Sequence, residues 1–95
     1  MFNRAFFEED LYKLLAHYSS THETHGPVVE LKVADGSVYK VKAKVVATDD
    51  WVTLEVWESE DAREPVQLTL PYGAVMQVKI YPTDPDEEHI GFRRE

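Results

Sequence analysis

The chain has 95 residues, 43% of them apolar and 12% aromatic, which suffices for one small core and excludes a wholly disordered chain. It contains no cysteine, so disulfides, thiolate metal sites and a cysteine nucleophile are ruled out. Ten basic residues face 18 acidic ones, a net charge of −8 that suits a polyanion poorly, because nucleic-acid affinity rests largely on neutralising phosphates.

No apolar run nears the roughly 20 residues of a membrane span. The first ten residues, Met-Phe-Asn-Arg-Ala-Phe-Phe-Glu-Glu-Asp, turn acidic where the apolar stretch of a signal peptide would lie. The expectation is a soluble, cytoplasmic chain. Much of the acidity falls in residues 58–64 and in residues 83–95, both read as solvated, while residues 26–82 hold six bases against nine acids.

Phe7, Leu11, Leu14, Leu15 and Tyr18 form one stripe at helical spacing. Asn3 is placed to cap the helix, and Glu8, Glu9 and Asp10 suit its early turns. The spacing predicts a helix over about 4–18. Ser19 to Pro27, polar, β-branched and ending in Gly-Pro, reads as a linker.

After Pro27 the period changes to two. Val29, Leu31 and Val33 mark a first strand, and Asp35-Gly36 predicts a type I′ hairpin turn. Tyr39, Val41, Ala43 and Val45 alternate with Lys40, Lys42 and Lys44, a second strand with a basic outer stripe. Val52, Leu54 and Val56 alternate with Trp51, Thr53, Glu55 and Trp57 in a third strand, both tryptophans opposite the core. Val66, Leu68 and Leu70 mark a fourth, and Met76, Val78 and Ile80 a fifth, after the short connection Pro71-Tyr72-Gly73 and before Pro82. One helix and five short antiparallel strands predict a mainly β domain over 1–82, a small, strongly bent barrel, followed by an acidic tail over 83–95.

The order of elements and three segments resemble the Sm/LSm family, including its bacterial Hfq branch. Leu31 to Gly36 is similar to the entry of the first motif. Thr48-Asp49-Asp50-Trp51-Val52-Thr53-Leu54 is similar to the Phe-Asp-x-aromatic-apolar-x-Leu segment before and within strand three. Leu68 to Val75 is similar to the second motif. The likeness covers about residues 4–82 and implies an Sm-like, SH3-like barrel.

Three departures accompany it. Val41 stands near the family's strand-two glycine, and that strand is about two residues longer. Tyr72-Gly73 keeps the glycine of the tight turn without its cationic partner. Thr53 replaces the asparagine seen in LSm proteins. The resemblance implies pairing of the fourth strand with the fifth strand of a neighbour, and so a homo-oligomeric ring of about five to seven subunits. It further implies single-stranded RNA at the pore, stacked on Trp51, with Asp49, Thr53, Tyr72 and Gly73 nearby and Lys40, Lys42 and Lys44 along the phosphates. The alternative is an oligomeric protein-interaction or assembly module with no nucleic-acid role, favoured by the acidic tail and the acidic 58–64 loop.

The bland readings are equally definite. Tryptophan on an outer strand face usually buries somewhere, and a lysine stripe usually pairs with carboxylates across the sheet. His22 and His25, with His17 nearby, have metal-compatible spacing in a polar linker but lack a firm third ligand. Asp49-Asp50 sits at a turn, where adjacent carboxylates point apart. No Ser-His-Asp order, phosphate loop or dinucleotide fingerprint occurs, so neither an enzyme nor a cofactor is expected.

Overall fold

The computed structural model describes residues 1–22 and 26–82. Asn3 opens the first helix: its Oδ1 accepts a bond from the Phe6 N–H at 2.9 Å. A π-helical turn, Phe6–Asp10, leads into α1, Leu11–His22. Phe7, Leu11 and Leu15 are buried beneath it. The predicted end at about residue 18 is corrected to His22. Ser20 Oγ and Thr21 Oγ1 donate to the His17 carbonyl at 3.0 and 2.9 Å, so these polar residues bond back onto the helix instead of breaking it. Tyr18 and His22 also stack, their rings 4.0 Å apart.

Five strands follow: β1 Val28–Val33, β2 Val38–Ala47, β3 Trp51–Trp57, β4 Val66–Pro71 and β5 Val75–Tyr81. All pairs are antiparallel, in the order β4-β3-β2-β1-β5, so β4 and β5 are the two edges of one sheet. Val29, Leu31, Val41, Val52, Leu54 and Val56 cover one face and pack with Phe7, Leu11, Leu15 and Tyr72 into the core. The expected β1–β2 turn type is corrected too. The Gly36 N–H bonds the Val33 carbonyl at 2.9 Å and Gly36 has φ 91°, so Ala34 and Asp35 are the central turn residues and Gly36 takes the left-handed position after them. The Ser37 N–H donates to Asp35 Oδ1 at 2.8 Å and closes the loop.

The main departure from strict alternation lies in β2. Val41 pairs with Val56, but Ala43 with Glu55; Lys44 pairs with Leu54, but Val46 with Thr53. Lys42 and Val45 are therefore extra residues in two bulges, which bend the strand and each reverse its faces. The expected core position of Val45 is corrected, since it is 44% exposed and Ala47 enters the core instead. The single lysine stripe is corrected by the same bulges. Lys40 pairs with Trp57 on the face away from the core, whereas Lys44 pairs with Leu54 and sits over the Tyr12 ring of α1 at 5.9 Å.

Candidate functional site

The β2–β3 turn is built by one threonine. Thr48 Oγ1 accepts from the N–H groups of Asp50 and Trp51 at 3.3 and 3.2 Å, while the Thr48 N–H donates to the Trp51 carbonyl at 2.8 Å. This fixes where β3 starts and holds Asp49 and Asp50 outward, both exposed. At the same end of the sheet, β4 reaches β5 through a single 3₁₀ turn, Tyr72–Ala74.

Tyr72 ties the two turns to the helix. Its ring is 6% exposed and stacks on Phe7 at 5.9 Å, and its hydroxyl donates to the Thr48 carbonyl at 2.5 Å. Burial raises its pKa, and the carboxylates of Glu8, Asp49 and Asp50 push the same way against Arg4. Tyr72 thus spends both ring face and hydroxyl inside its own chain. Gly73 is exposed, and a side chain there would meet nothing within 4 Å.

Arg4 is the cation at this end. It bridges Glu8 at 2.6 Å and Asp49 at 3.1 Å, and its pKa rises through the bond to Glu8 first and Asp49 second. Asp50 lies beside this pair. Trp51, one residue on, is 38% exposed on the outer face, where it pairs across to Pro71 of β4. Thr53, two residues along the same face, is 7% exposed and shares a 2.7 Å hydroxyl–hydroxyl bond with Thr69.

The remaining candidates lie apart. Lys40 of β2 faces Trp57 at the far end of β3, its ammonium 3.2 Å from Glu60, in a cleft of about 100 Å³ lined also by Trp57, Glu30 and Glu58. Trp57 is buried there at 9% exposure, as the bland reading anticipated. Lys42 occupies the first bulge, and Lys44 is on the other side of the sheet. The structure therefore puts Asp49, Trp51, Tyr72 and Gly73 at one end of the sheet, with Trp51 and Thr53 on the outer face and Tyr72 in the core beside Phe7, and disperses the three lysines. His22 is helical, while His25 lies outside the described residues, as does the tail. No group of three or more potential metal-ligating side chains occurs among the described residues.

Sequence reasoning missed Arg4, Phe7 and Pro71 as parts of this end. Arg4 and Asp49 are 45 positions apart, and no local pattern joins them. Thr48 was visible in principle, as a threonine three residues before a strand's first aromatic. No described helix is long and apolar enough to cross a membrane. No protein-family model, no curated protein and no solved structure matches the chain.

Proposed function

We propose that this protein is an Sm-like subunit that closes its barrel and assembles into a ring through its two sheet edges, and that the ring serves as a protein-interaction and assembly module. The observation that carries the reading is the strand order, with β4 and β5 at the edges. The family likeness requires those two strands to be free for a neighbour. Each edge offers open backbone donors and acceptors, and pairing satisfies them at a net gain of about 1 kcal/mol per bond.

Leu68 and Leu70 of β4 and Val78 and Ile80 of β5 are only partly buried against the core, so a paired edge would cover them as well. The module reading is favoured over nucleic acid by the fate of the cations: Arg4 and Lys40 are bound to carboxylates, and the lysine stripe is divided between two faces. A second reading, single-stranded RNA stacked on Trp51, draws on the exposure of that indole.

Light scattering after size exclusion tests assembly. The expected mass is about five to seven times 11.0 kDa, and a mass of one or two chains overturns the ring. Titration with short U-rich and A-rich oligonucleotides at low salt, where phosphate attraction is strongest, is expected to show no binding. Tight binding abolished by Trp51→Ala would replace the module reading with the RNA one.

A further inference from the structure

The outer face of the sheet holds an apolar patch that the protein's own packing leaves open. Trp51 pairs with Pro71 on one row of the sheet; Val46 and Thr53 pair on the next row of that face, with Thr69 beyond them. Cross-strand and diagonal neighbours on one face are close enough for a large ring to bridge. Val46 is 42% exposed, Trp51 38%, and Pro71 is exposed as well. The Thr53–Thr69 hydroxyl pair forms a satisfied polar floor between them. This surface lies across β2, β3 and β4, so edge pairing does not by itself cover it.

Both ends of the patch are acidic. At one end Asp49 and Asp50 immediately precede Trp51; Arg4 of the helix bridges Asp49 to Glu8, and Asp50 has no such ion pair among the described residues. At the other, Glu55 stands on the same face four residues beyond Trp51, about 13 Å along the strand. Between them the outer-face residues Val46, Thr53 and Thr69 are uncharged, and at the row of Glu55 stand Gln67 and, in the bulge of β2, Lys42. A phosphate nearing Asp50 or Glu55 meets a carboxylate, with Lys42 in the bulge opposite Glu55 offsetting part of that charge, whereas an ammonium or guanidinium gains most at Asp50. Trp51 adds a ring face that suits an apolar side chain or a cation.

We infer that the Val46–Trp51–Pro71 patch is a docking site for an extended protein segment carrying an apolar or aromatic side chain between two basic ones. The central side chain lies on Trp51 and Pro71, and the flanking bases reach Asp50 and Glu55. The inference rests on the protein-interaction reading for its biological sense, though its geometry is complete in one chain.

The test is fluorescence anisotropy on the full chain with three labelled probes: the peptide Lys-Leu-Thr-Phe-Thr-Arg, its counterpart with both bases changed to Glu, and a U-rich oligonucleotide. The basic peptide is expected to bind at least about tenfold more tightly than either other probe. Trp51→Ala should weaken it at least about tenfold, as loss of a central aromatic anchor does. Asp50→Asn with Glu55→Gln should remove most of the preference for the basic peptide and flatten its salt dependence.

Trp51 and Asp50 are exposed, so these variants should keep the wild-type circular dichroism spectrum. Equal affinity for the two peptides, absence of binding, or unchanged binding by Trp51→Ala overturns the proposal. Tighter binding of the oligonucleotide assigns the patch to RNA and also overturns it. Mass measured on the same samples separates the two claims. A ring without peptide binding sinks the docking site alone, and a monomer that binds the peptide sinks the ring alone. A mass that falls on Trp51→Ala, with no peptide bound, gives the patch to a second copy and overturns the docking site.

Discussion

Tyr72→Phe separates a structural tyrosine from a ligand-facing one. The ring remains, with its stack on Phe7, and only the hydroxyl bonded to the Thr48 carbonyl is lost. A neutral hydrogen bond contributes about 0.5–1.5 kcal/mol net, and a buried carbonyl left without its partner costs about 1–3 kcal/mol. With the side chain 6% exposed, water replaces the bond poorly, and the expected loss is about 2 kcal/mol. At about 4–8 °C per kcal/mol for a domain of this size, Tm should fall by about 8–16 °C.

The alkaline limb gives a second reading of the same bond. Burial raises the folded pKa of Tyr72 above the ordinary 10.0, so the unfolded chain loses this proton first. Its contribution is complete below pH 10 and declines as the pH rises through the folded value. Wild type and Tyr72→Phe should therefore converge in stability above pH 10. Urea melts monitored by circular dichroism at neutral and alkaline pH measure both effects. A variant within about 0.5 kcal/mol of wild type at neutral pH, as for a surface substitution, would refute the reasoning and return Tyr72 to the ligand-contacting set.

Three further outcomes follow from local geometry. Gly36→Ala should cost about 1–2 kcal/mol, because Gly36 has φ 91° and an added Cβ meets the following carbonyl there. Gly73→Ala, where φ is ordinary and the space is open, should leave stability within about 0.5 kcal/mol in the same urea melts. Asp35 is held below its usual pKa chiefly by the Ser37 backbone N–H, so its contribution is present above the carboxylate range and fades as pH falls through the folded value; Asp35→Ala should flatten that acid limb.

Alternation located β1, β3 and β4 and the span of β5, but in β5 it set Met76 on the core face; Lys32 pairs with Gln77 and Val33 with Val75, so Met76 is bulged out at 60% exposure and Val75 takes the core place. Alternation misread β2 for a specific reason. The run Val-Lys-Ala-Lys-Val alternates by residue type while the eight residues 40–47 of β2 run beside the six residues 52–57 of β3. The two surplus residues, Lys42 and Val45, become bulges, and each bulge turns the pattern over. The excess length was legible; the placement of the bulges depends on the bending of the sheet around the core. At the site, Trp51 was legible as the residue opposite Val52 and Leu54. Tyr72 was not, because Tyr-Gly in a short connection reads as surface, and its burying partner Phe7 lies 65 positions earlier. The helix end was hidden similarly: side chains that break helices in isolation bond back to His17 when the preceding turns are already packed.

Net charge sets the last question, since a ring multiplies −8 by its subunit number. What opposes association is charge within reach of the interface, because separations beyond about 8–10 Å are screened at ordinary ionic strength. The edge strands are nearly neutral there. β4 is Val-Gln-Leu-Thr-Leu-Pro and β5 is Val-Met-Gln-Val-Lys-Ile-Tyr, with Lys79 the single charge in either. Pairing strands of six and seven residues can form about five backbone bonds, or about 5 kcal/mol at 1 kcal/mol each, before the half-buried leucines are covered. Two exposed unit charges 4 Å apart in water exchange only about 1 kcal/mol. For the proposed ring the edge bonds therefore outweigh the repulsion at ordinary ionic strength, and assembly should persist when salt is lowered from 0.5 M to about 0.15 M, with little change in scattering mass. Peptide binding at Trp51 should strengthen over the same range, because Asp50 is exposed and its attraction is screened by salt. Dissociation of the ring within that range would show that distant charge governs assembly and would refute the edge argument.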